Sequence, residues 1–121
     1  MSDPDRKSLL RTYKETPLPA GVFAVRNTAT GRMLVGVSPN LPAMLNRQQF
    51  QLRQGAHPDR ELLADWKRLG PDAFSFEVLD QLKPSEDPAA DLAKELETLK
   101  ELWLEKLRES GATFYSWSAN A

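Results

Sequence analysis

The sequence contains no cysteine. Disulfides and thiolate metal centres are therefore excluded, and a cysteine-free chain is compatible with a reducing compartment. A single histidine, His57, rules out a polyhistidine metal site. No apolar run approaches the roughly 20 residues that a membrane span needs. The segment from Met1 to Lys7 is polar, without a signal-peptide core behind it. These features predict a cytoplasmic protein with no membrane association.

The chain does have the means to fold. Its 121 residues are 40% hydrophobic and 27% charged, which suits one globular domain. The formal net charge is only -1, against a strongly basic nucleic-acid binder, but the charge is unevenly placed. Over residues 21–70, Arg26, Arg32, Arg47, Arg53, Arg60, Lys67 and Arg68 stand against Asp59, Glu61 and Asp65. Residues 71–110 are strongly acidic. Such asymmetry marks either an anion-binding face or two solvated faces that pair with each other.

Periodicity and punctuation divide the chain. Asp3 and Pro4 suit the start of a helix over 4–14, with Leu9, Leu10 and Tyr13 as its apolar stripe. Pro17 and Pro19 interrupt it, so residues 1–19 read as a helix and a proline-rich join. Residues 21–28 and 32–38 read as a hairpin around Ala29-Thr30-Gly31. Gly36 predicts a bulge or a close backbone approach. Asn40 caps a helix to about Gln54, with Leu41, Met44, Leu45 and Leu52 apolar, and Gly55 stops it. A second helix starts at Pro58, carries Leu62, Leu63 and Trp66, and closes at Gly70-Pro71. Residues 74–80 alternate as a third strand, with Phe74, Phe76 and Val78 on one face. The last helix spans about 88 to 109. Leu92, Leu96, Leu99, Trp103 and Leu107 form its stripe, widened by Leu102 and Leu104. The aromatic tail, 111–121, is expected to pack back on a domain spanning 20–110. The order α-β-β-α-α-β-α gives an α/β (α+β) fold, a small three-stranded antiparallel sheet flanked by helices.

That order, with these residues on it, resembles the GIY-YIG nuclease superfamily over about residues 20–107, and is most similar to small stand-alone bacterial members. Gly21-Val22-Phe23 stands where the family has Gly-Ile-Tyr. Leu34-Val35-Gly36 stands where it has Tyr-Ile-Gly, followed by Asn40. His57, Leu62, Trp66, Gly70 and the stretch Phe74-Ser75-Phe76-Glu77-Val78-Leu79 match its later pattern. The resemblance implies an endonuclease that hydrolyses phosphodiesters with one divalent metal. In that chemistry a tyrosine hydroxyl helps activate water, an arginine stabilises the phosphate and a helical glutamate holds the metal.

At those positions the polar groups are missing. The tyrosine positions hold Phe23 and Leu34, the arginine position Met44, and the glutamate position Lys100. Gln48 follows Met44 by one turn. An active Mg²⁺ enzyme would have to use Arg47 in place of Met44 and Glu97 in place of Lys100. Otherwise no cofactor is implied, and the reading is a degenerate domain that kept its fold and lost catalysis. Arg26, Arg32, Arg47, Arg53 and His57 are then the candidate contacts to DNA, RNA or another anion. Each has a plainer alternative: the arginines as solvated charges, His57 as a helix cap. A protein partner, met by the aromatic tail and the acidic last helix, is the remaining reading.

Overall fold

The computed structural model describes residues 19–83 and 91–117. The expected helix over 4–14, the first residues of the expected last helix and the end of the tail lie outside them. Among the described residues the elements are β1 (Gly21–Asn27), β2 (Met33–Ser38), α1 (Leu41–Gln54), α2 (Arg60–Leu69), β3 (Phe74–Gln81) and α3 (Leu92–Glu109). The three strands form one antiparallel sheet in the order β2-β1-β3. It is an α+β fold, with helices on both faces of the sheet.

Alternation along β1 decides the two faces. Phe23 and Val25, with Leu34 of β2, face α1 and α2 and meet Leu41, Leu52 and Leu62. Val22 and Ala24, with Met33 and Val35, face α3 and meet Leu104. Phe74 and Phe76 stack against Trp66 on the first face, at 5.3 and 6.3 Å between ring centroids.

The glycines at the sheet have different tasks. Gly36 lies opposite Phe23, and a Cβ there would come within 2.8 Å of the ring tip. It is a close approach, and β1 and β2 pair without interruption. The bulge is elsewhere, between β1 and β3. There Val22 pairs with Asp80 and Phe23 with Val78, leaving Leu79 as the extra residue. The bulge presses the Asp80 carbonyl onto Gly21, where a Cβ would sit 2.0 Å from the oxygen.

Several local expectations are corrected. Val78 keeps the face of Phe74 and Phe76, opposite Phe23, but is not buried there. Beside the bulge on an edge strand, it is 44% exposed. The second helix begins at Arg60, and Asp59 caps it by accepting from the Leu62 N–H at 3.0 Å. A carboxylate meets the free N–H groups of a first turn better than the segment at Pro58 does. Asn40 caps α1 and Gly55 closes it at φ 71°. In α3, Leu102 does not widen the core stripe and is 58% exposed, while Leu96, Lys100 and Leu104 form the buried row. Leu92, at the helix start, is also exposed.

The tail lies along the open edge of β2. Met33 N–H donates to Thr113 O (2.9 Å), and Tyr115 N–H donates to Met33 O (2.8 Å). Tyr115 is fully buried. The start of that edge is thereby paired.

Candidate functional site

The hairpin arginines are committed within the fold. Arg26 on β1 pairs with Glu77 on β3, Nε to Oε2 at 2.9 Å, and Ser75 Oγ donates to the same carboxylate at 2.6 Å. Arg32 pairs with Glu61 of α2 and donates from Nε to Phe114 O at 3.2 Å. Its guanidinium lies 4.4 Å from the centroid of the Tyr115 ring. Glu77, outward on its strand, and Glu61 are distant in sequence, so nothing local announced either pair.

His57 is buried, with both ring nitrogens engaged. Nδ1 accepts from the Asp59 N–H at 3.0 Å, which places the proton on Nε2, 2.5 Å from Gln48 Oε1. Gln48, itself buried, donates to Met44 Sδ at 3.4 Å. The edge of Trp117 closes over the imidazole. Burial holds the His57 pKa below its usual range, partly opposed by Asp59. A neutral histidine tied on both sides offers a phosphate no donor. Its role is to bind α1, the start of α2 and the tail together.

Arg47 and Arg53 differ from these. Both are exposed on α1, a helix with no acidic residue, and no ion pair holds either to another described residue. Phe50 stands between them in sequence, three residues from each, and is 63% exposed. Its phase is opposite to the buried Leu41, Gln48 and Leu52. Sequence reasoning passed over Phe50, yet that phase is readable from the spacing alone. Arg60 and Lys67 of α2 are also exposed, without an ion pair to a described residue.

No protein-family model matches the chain, and neither does any curated protein. Solved structures do match. The catalytic domain of the homing endonuclease I-TevI superposes with a TM-score of 0.61 at 16% identity, covering 78% of this chain and 94% of that domain. A glutamate-to-alanine mutant of that intron endonuclease domain gives 0.59 at 17% identity, covering 82% and 93%. I-TevI is a GIY-YIG nuclease.

This chain has the GIY-YIG fold.

The four positions that the resemblance matched to catalytic residues are all buried or packed in this fold. Phe23 and Leu34 are both fully buried, and Met44 packs against the same cluster. Lys100 is buried in α3. Burial pushes its ammonium pKa down, while Glu97 and Glu101 pull it back up. Arg47 and Glu97 are exposed on helices packed against opposite sheet faces, and no ion pair joins them. Among the described residues, no three His, Asp or Glu side chains gather as a metal site, and no helix is long and apolar enough to cross a membrane.

Proposed function

We propose that this domain is a catalytically degenerate GIY-YIG-like module of the cytoplasm that binds nucleic acid through α1, the helix following the hairpin. The observation that carries the first half is the burial of Phe23 and Leu34. A phenylalanine ring and a leucine in a packed core can neither pass a proton nor orient a water. With Met44 beside them, three of the four aligned positions support apolar packing, and a lysine at the fourth repels the divalent cation that a carboxylate would hold.

The second half rests on charge. The arginines of the hairpin are neutralised within the fold, whereas Arg47 and Arg53 face water on an acid-free helix. Unpaired guanidinium groups on one helix face suit the spaced phosphates of a nucleic acid. The hairpin therefore serves as scaffold in this reading, and His57 as an internal tie.

Fluorescence anisotropy of labelled DNA and RNA across a salt titration tests the binding. The expected result is log affinity falling linearly with log salt, and a slope shallower by about 2 in an Arg47→Ala, Arg53→Ala variant. Binding that ignores salt, or ignores both substitutions, would remove α1 as the interface.

A further inference from the structure

We infer that α1 selects single-stranded nucleic acid, using Phe50 as a stacking platform between Arg47 and Arg53. The inference rests on the nucleic-acid reading above and adds the class of strand to it.

Phe50 is out of phase with every residue that α1 buries. It points outward where α1 is most exposed, and 63% of its surface is open. At 100° per residue, Arg47 and Arg53 fall about 60° to either side of it. Asn46 and Gln54, one turn before and after, supply amides at the margin. The helix thus presents one apolar ring in a polar, cationic frame.

A scattered exposed apolar residue needs no special explanation. What distinguishes this one is its setting. A second copy of α1 is a poor occupant. A twofold contact would bring Arg47 and Arg53 of both copies together with no acidic residue on the helix to offset them. The surface instead asks for a ligand with negative charge on its flanks and a flat apolar face at its centre. An unpaired nucleotide has both. Its phosphates meet the arginines while its base lies on the ring. A duplex hides its base faces and shows only their edges, to which a phenyl ring donates nothing.

The test compares the full chain with Phe50→Ala and Phe50→Trp variants. The probes are fluorescein-labelled oligothymidylate and oligouridylate, about fifteen nucleotides long, and a duplex of equal length. Circular dichroism melts check that each variant is folded. The expected result is an affinity loss of about tenfold for single strands in Phe50→Ala, with duplex affinity and the salt slope unchanged. Phe50→Trp should restore single-strand binding. Equal loss on both strand types, no loss on either, or a self-association abolished by Phe50→Ala would each overturn the inference. If duplex binding depends on Arg47 and Arg53 while Phe50 is irrelevant, this inference fails and the nucleic-acid reading stands. If the unaltered chain binds no probe, both fall.

Discussion

Tyr115 shows how much one buried hydroxyl can organise. It accepts from Asn27 Nδ2 at 3.2 Å and donates to Asp65 Oδ2 at 2.7 Å. Asn27 in turn holds the hairpin loop, its Oδ1 accepting from the N–H groups of Ala29 and Thr30. Tyr115→Phe keeps the ring and leaves the Asn27 amide without this partner, so we expect a loss of about 1–3 kcal/mol in denaturant melts. Burial pushes the phenol up to about 12. Raised in the fold, it contributes stability that is present below the ordinary value near 10 and lost as pH climbs towards 12. His57 has the opposite sense. Its pKa is lowered in the fold, so the unfolded chain takes up the proton first as pH drops below 6.5. Melting temperature should fall between about pH 7 and about pH 5.5, with a shallower fall in His57→Gln. No change in slope would mean that His57 titrates alike folded and unfolded.

At the scale of elements, backbone geometry makes the sharper demands. Gly21 must accept the Asp80 carbonyl at the β-bulge, and the obstruction is backbone, which cannot swing aside. Gly21→Ala should cost about 2 kcal/mol or more in a chemical melt. Gly36→Ala meets only the tip of the Phe23 ring, so it should cost less. Reversal of that order would show that the bulge yields more easily than the core. The elements themselves were legible in the sequence because Asn40, Gly55 and Gly70 are strong punctuation with local causes. The start of α2 was not. Pro58 and Asp59 both suit a helix start, and only the hydrogen bond to Leu62 N–H chooses between them. The exposure of Val78 was hidden too, because alternation gives the face a residue takes and not what covers it.

For the molecule as a whole, the candidate site was legible by what it lacks. Phe23, Leu34, Met44 and Lys100, at the positions that the resemblance matched, are visible in the sequence, and that they carry no phenol, guanidinium or carboxylate needs no coordinates. Which cations remain available was not visible, because Arg26 finds Glu77 and Arg32 finds Glu61 only through the tertiary fold. The tail was visible as aromatic, but its registry against Met33 depends on the finished sheet edge. Tyr115→Ala should therefore destabilise the whole domain by about 3–5 kcal/mol in one cooperative transition. A separate early transition would instead make the tail an independent unit.

The measurement that bears most directly on the central claim is a cleavage assay on supercoiled plasmid, single-stranded DNA and RNA with Mg²⁺ or Mn²⁺. It is run beside an Arg47→Ala, Glu97→Ala double variant, at protein concentrations where binding is seen. We predict no metal-dependent cleavage by either protein. Cleavage by the unaltered chain that the double variant loses would contradict the account, and would mean that Arg47 and Glu97 form a working site across the sheet.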